Sequence, residues 1–206
     1  MKSNDERLTE ILKRLDHISY IKLDKIPDIS LYMDQVTSFM EEHLRDTKRS
    51  PEDKVLTKTM INNYAKNHLL PSPQKKKYSK EHLLLLLFIY YYKNLISISD
   101  IEQLLRPITE RHFAKDSDLT LSIIYEEIFS LEASQMDRLQ EDVKAKFQLA
   151  SETFQDAKEE EREYLQLFAF ISTLSFDVYL KKQIVESIID QLRAESEQDP
   201  GTKKKH

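Results

Sequence analysis

The chain contains no cysteine and a single glycine, Gly201. The first absence removes disulfides, thiolate metal ligands and cysteine nucleophiles together, and it fits a reducing compartment, so a cytoplasmic location is expected. The second excludes glycine-rich phosphate loops and argues against strand-and-turn architectures, which draw on glycine for positive-φ turns. Proline is sparse too. Between Pro107 and Pro200 neither proline nor glycine interrupts the chain. The longest apolar run, residues 83–92, is about half of what a bilayer span needs, and the charged residues 1–10 lack the apolar core of a signal peptide. No membrane partner is expected.

What is present favours helix. Leu, Lys, Glu, Gln and Arg dominate a chain of 206 residues that is 40% hydrophobic, enough to bury a core, and the fold class expected is all-α. Net charge is −5, but it is unevenly spread. From Arg45 to His82 ten basic residues face four acidic ones, a local balance of +6 that leaves −11 for the rest. Distribution of charge, more than its sum, decides which partners a surface attracts.

Apolar positions at helical spacing divide the chain. Leu8, Ile11, Leu12, Leu15 and Ile18 predict an amphipathic helix over residues 6–19, followed by a connector that ends at Pro27, so that residues 1–27 form an N-terminal segment. Ser30 is positioned to cap a second helix burying Leu31, Val36, Phe39, Met40 and Leu44. Thr57 caps a third, running to about His68 over Met60, Ile61 and Tyr64. Pro71 and Pro73 then hold residues 71–77 in an extended, exposed, basic turn. Ser79 opens a fourth helix, apolar on every side through Tyr92, which is expected at the centre of the fold. Its Tyr90-Tyr91-Tyr92 run points three ways, so core packing is expected there in preference to a stacking platform for bases. Ser97 and Asp100 resemble a capping box for a short fifth helix ending at Pro107. Residues 28–108 are thus one domain. Residues 109–194 are expected to form a C-terminal helical module for dimerisation or sensing, with one helix marked by Leu121 to Phe147 and another between Tyr164 and Leu192. The acidic stretch 158–163 is either a solvated turn of helix or the joint between them. Residues 195–206 read as a disordered tail.

No catalytic or metal-binding constellation stands out. The six histidines (His17, His43, His68, His82, His112, His206) are far apart, with no HExxH pair and no carboxylates at ligand spacing. No enzyme, metal or cofactor is expected. The segment 57–67 has a different character: Lys58, Asn62 and Lys66 recur at i, i+4 and i+8, and Thr59 and Asn63 form the adjoining row. One helix side therefore presents ammoniums, amides and a hydroxyl. Asparagine can pair with adenine in the major groove, and lysine and threonine can reach bases or phosphates.

Several of these motifs occur together in one known arrangement. Tyr64-Ala65-Lys66-Asn67-His68-Leu69-Leu70, the pair Pro71-Ser72-Pro73, the entry Lys77-Tyr78-Ser79-Lys80-Glu81 and Ser97-Ile98-Ser99-Asp100-Ile101-Glu102-Gln103-Leu104-Leu105 follow one another in order. Over residues 57–105 the chain resembles the DNA-binding region of MerR-type winged helix-turn-helix regulators. It is also similar there to an uncharacterised bacterial family of unknown function. The resemblance implies a MerR-like helical core with a shortened wing, and double-stranded DNA as the partner of a homodimeric transcriptional regulator. It implies that residues 57–67 form the recognition helix, with Asn62 where the regulators often carry arginine and Asn63 and Tyr64 at their two tyrosine positions. Lys75, Lys76, Lys77 and Tyr78 would then lie near the phosphate backbone. The chain departs from the pattern in its long link 45–56, in Leu95 at a common glycine position, and in His68 where glycine usually follows the recognition helix. A left-handed cap at His68 would be strained relative to glycine. The alternative expectation is a helical protein-interaction module that keeps this fold without binding DNA.

Overall fold

The computed structural model describes residues 2–16, 20–115, 118–133 and 135–198. The expected end of the first helix at Ser19, and the tail from residue 199 onward, lie outside these. Among the described residues the protein is predominantly helical, with eight α-helices and one two-stranded antiparallel sheet. It divides into two compact units: Met1–Tyr20 with Phe129–Gln183, and Ile21–Ile128 with Ile184–His206.

The second of these units holds the basic segment. Strand β1 (Leu31–Tyr32) precedes α2 (Met33–Leu44) and pairs with β2 (Lys77–Tyr78) in the register Leu31 to Tyr78 and Tyr32 to Lys77. Ser30 is therefore not the cap expected for α2. The chain first spends two residues in the sheet, and Tyr32 takes the N-cap position, its backbone N–H donating to the Gln35 side chain at 2.8 Å. Helix α3 (Lys58–Lys66) starts as expected, with the Thr57 hydroxyl accepting from the Met60 N–H at 3.2 Å.

Helix α4 (Lys80–Tyr92) is the centre of this unit. From His82 to Tyr90 every residue is buried, because the helix has no polar face to turn outward. Val36, Met40 and Leu44 of α2, Ile61 of α3, and Ile101 and Leu105 of α5 (Ile98–His112) add their buried side chains to this core. Tyr125 of α6 (Leu121–Ala133) is fully buried, sets its ring edge-on to Phe88 at 5.7 Å and donates its hydroxyl proton to the Ile21 carbonyl at 2.7 Å. Tyr90 is buried, and Tyr92 stacks on Phe88.

Helix α5 departs from expectation at its C-terminus. It runs through Pro107 to His112, although proline lacks the N–H that would bond to Gln103. The reason is its apolar face: Ile101 and Leu105 are buried, Ile108 and His112 are half-buried at the same helical spacing, and Pro107 lies on the exposed side. The Ser97–Asp100 capping box is present, with reciprocal contacts of 3.2 Å.

In the other unit, α1 (Asn4–Leu15) carries a capping box between Ser3 and Glu6. It contributes Leu8 and Leu12 to a small core of Val143, Phe147, Ala150, Leu167, Phe170 and Leu174, drawn from α7 (Met136–Ser151) and α8 (Glu159–Gln198). The single helix drawn through Leu121 and Phe147 is two helices, α6 and α7. The acidic stretch falls at the start of α8, where glutamates suit the helix dipole, and the joint lies just before it. Helix α8 continues past the change in composition at Glu195.

Candidate nucleic-acid interface

Helix α3 turns Ile61 and Tyr64 inward and leaves Lys58, Thr59, Asn62, Asn63 and Lys66 exposed on the other side. The five residues singled out by spacing therefore share one open face. They do not share one state. The Lys58 ammonium is ion-paired with Asp34 of α2, whereas Lys66 forms no ion pair with any described residue. The Asn63 backbone carbonyl accepts from the Asn67 side-chain amide at 2.9 Å.

The helix ends in a left-handed residue. His68 has φ of 58°, its N–H donates to the Ala65 carbonyl at 3.3 Å, and the Leu69 N–H donates to Tyr64 at 3.0 Å. This is a Schellman ending built without glycine, and the buried Leu69 and Leu70 that follow anchor it in the core. Chain direction after α3 is thereby fixed toward Pro71.

Beyond the prolines the chain closes a two-residue hairpin. Gln74 and Lys77 face each other, the Lys77 N–H donates to the Gln74 carbonyl at 2.9 Å, and Lys75 and Lys76 between them have φ of 49° and 63°. Two consecutive positive φ values define the turn that suits the twist of a tight hairpin, a turn usually made by Asn-Gly. The exposed basic turn expected over residues 71–77 is thus a tight hairpin, a type not legible from lysine at both positions, which carries none of the usual turn chemistry. Lys75, Lys76 and Lys77 are all exposed, and the Lys77 ammonium sits 5.1 Å from the centre of the Tyr32 ring. Tyr78 does not join them. It is 3% exposed, its ring edge-on to His82, and it holds the hairpin onto the core instead of facing outward.

His82 lies beneath this hairpin, packed by Tyr78 and by Phe113 at 4.8 Å. Its Nδ1 accepts the Ser79 backbone N–H at 3.0 Å, while Nε2, toward the Pro71 and Ser72 backbone, is buried without a partner in hydrogen-bonding geometry. Burial pushes the imidazole below its ordinary pKa, so it is held neutral.

The long link between α2 and α3 is tied down by polar contacts that spacing alone did not reveal. Lys48 pairs with Glu41 at 2.6 Å, and this bond lowers the Glu41 pKa. Lys93 donates to the Val55 carbonyl at 2.8 Å with its ammonium over the Tyr90 ring, and burial lowers its pKa. Sequence reasoning could have flagged Lys93 only as a lone cation at the end of an apolar helix. Among the described residues no group of three or more histidines and carboxylates is placed to hold a metal ion, and no helix is long and apolar enough to cross a membrane.

A family model for a domain of unknown function, DUF1836, matches residues 21–128. The chain belongs to the DUF1836 family. The match takes in β1, α2, α3, the hairpin, α4 and α5, and most of α6. Comparison with curated proteins and with solved structures finds no match. Within this DUF1836 chain, α2 contacts both α3 and β2, so one helix braces the two elements that carry the exposed polar face and the exposed lysines.

Proposed function

We propose that this DUF1836 protein binds double-stranded DNA as a MerR-like winged-helix regulator, with α3 in the major groove and the 74–77 hairpin on the phosphate backbone. The observation that carries this reading is the hairpin tip. Two adjacent lysines occupy left-handed backbone, a conformation that costs each of them on the order of 1 kcal/mol relative to glycine, at a solvent-exposed site where nothing in the core requires lysine. Such strain is expected where the side chains themselves are needed. The strand preceding α2, its pairing with the return of the hairpin, and the exposed row Thr59, Asn62, Asn63 and Lys66 support the same reading. In it, Lys66, Lys75, Lys76 and Lys77 bind phosphate, Asn62 and Asn63 read base edges, Thr59 and Lys58 flank them, and Tyr78 supports from behind. A homodimer reading two half-sites is the form this function implies. No chemical step, metal or cofactor is assigned to it.

A second reading is a protein-interaction module that keeps the fold without binding DNA. The Lys58–Asp34 ion pair favours it, since a recognition-face ammonium is already neutralised within the fold. Binding of random duplex DNA by the full chain across a salt series separates the two. DNA binding implies affinity that falls steeply with salt, and an interaction module implies none.

A further inference from the structure

The register of β1 and β2 sorts four side chains into two pairs. Leu31 and Tyr78, directly opposite each other, are buried, whereas the next pair, Tyr32 and Lys77, is exposed. Opposite residues on one face of an antiparallel pair lie within contact reach. The Tyr32 ring is 53% exposed, and the Lys77 ammonium lies 5.1 Å from its centre. Tyr32 is fixed in turn through its backbone, whose N–H donates to the Gln35 side chain in the first turn of α2. Lys93, above the Tyr90 ring, also donates to the Val55 carbonyl and so ties two parts of the fold together. Lys77 has the ring alone: among the described residues its ammonium has no hydrogen-bond acceptor and no ion pair, which leaves its N–H donors open to a ligand.

We propose that Tyr32 is a positioning residue for DNA binding, its ring holding the Lys77 ammonium in place to meet a phosphate. The inference rests on the DNA-binding reading above and adds to it a residue outside both α3 and the hairpin. Lysine is a point charge on a long flexible stem, and an ammonium loose in solvent loses rotamer freedom when a phosphate immobilises it. Held over an aromatic face, it has part of that order before the ligand arrives. The kind of partner matters as well. The Asp34 carboxylate neutralises Lys58 and competes with phosphate for it, whereas a ring attracts the ammonium and leaves its charge intact. Lys75 and Lys76, at the hairpin tip, have no ring contact among the described residues. The three exposed lysines are therefore not equivalent, and Lys77 is the preorganised one.

Two substitutions separate the ring from the bulk of the side chain. Tyr32→Phe keeps the aromatic face, and Tyr32→Leu keeps an apolar side chain in the strand without it. Binding of the full-length proteins to random duplex DNA is measured over a salt series, alongside Lys77→Ala and the double variant Tyr32→Leu with Lys77→Ala. Tyr32→Phe should bind as the parent does. Tyr32→Leu should bind about 2- to 5-fold more weakly at every salt concentration, the range of an exposed cation–π contact. Its slope against salt should equal the parent's, because Lys77 still neutralises a phosphate. Lys77→Ala should lower that slope by about 0.9, and adding Tyr32→Leu to it should cost nothing more. If Tyr32→Leu binds like the parent, or weakens binding equally with and without Lys77, the positioning role is overturned while DNA binding stands. A parent chain that binds no duplex overturns both. A second readout needs no DNA: the ε-methylene protons of Lys77 should resonate upfield of those of Lys75 and Lys76 in the parent and in Tyr32→Phe, and join them in Tyr32→Leu. Coincident resonances in the parent overturn the proposal.

Discussion

Under the proposed DNA binding, Lys75 and Lys76 oppose stability to function. Both hold positive φ at the tip of the hairpin, where Asn-Gly would fit without strain. Replacing them as Lys75→Asn with Lys76→Gly should stabilise the fold by about 1–2 kcal/mol, read as a higher denaturant midpoint. The same variant should weaken DNA binding. Asn62 and Asn63 oppose the two quantities in milder form, since asparagine is a poor helix former and both are exposed. Alanine at either position should leave thermal stability unchanged or raise it slightly, yet cost about 1–3 kcal/mol of binding against a preferred sequence and much less against random DNA. His82 carries a pH dependence. Its imidazole is neutral in the fold and its pKa is lowered mainly by burial, so as pH falls through about 6.5 the unfolded chain takes up the proton first. Stability is full above that pH and is lost below it. The thermal midpoint should therefore fall between pH 7 and pH 5, and His82→Gln, which keeps a capping acceptor, should flatten that slope. An equal slope in the variant would remove His82 as its source.

At the scale of elements, the starts of α3 and α5 were legible, whereas the start of α2 and the end of α5 were not. Thr57, and Ser97 with Asp100, announce their helices because a short polar side chain before an apolar period has one economical use, capping the first turn. Ser30 misled, because β1 depends on pairing with Tyr78, far along the chain, and no local signal carries that. Pro107 misled for the opposite reason. A strong local stop signal was overridden by a buried face that continues to His112. Pro107→Ala should accordingly stabilise the chain by about 1–2 kcal/mol by removing the proline's penalty in a helix interior, with unchanged helical content by circular dichroism. A destabilised variant would mean that the proline shapes α5 in a way its neighbours need. The candidate site divides along the same line. The exposed row on α3 followed from helical spacing alone, whereas the hairpin turn and the burial of Tyr78 depend on tertiary packing.

Across the whole molecule, charge is unevenly spread. The +6 balance of residues 45–82 sits within the span matched by DUF1836, and the exposed apolar residues of α8 lie beyond it. The proposed DNA contact of this basic segment has an electrostatic contribution that is measurable on its own. Each lysine that neutralises a phosphate adds about 0.9 to the slope of log affinity against log salt. The most direct measurement is binding of the full chain to random duplex DNA from about 50 to 300 mM salt, a range that separates counterion release from other contributions, for the parent and for Lys75→Asn with Lys76→Gly. The account predicts a linear loss of affinity with salt in the parent and a slope smaller by about 1.8 in the variant, which remains folded. No binding at the lowest salt, or identical slopes in the two proteins, would contradict it.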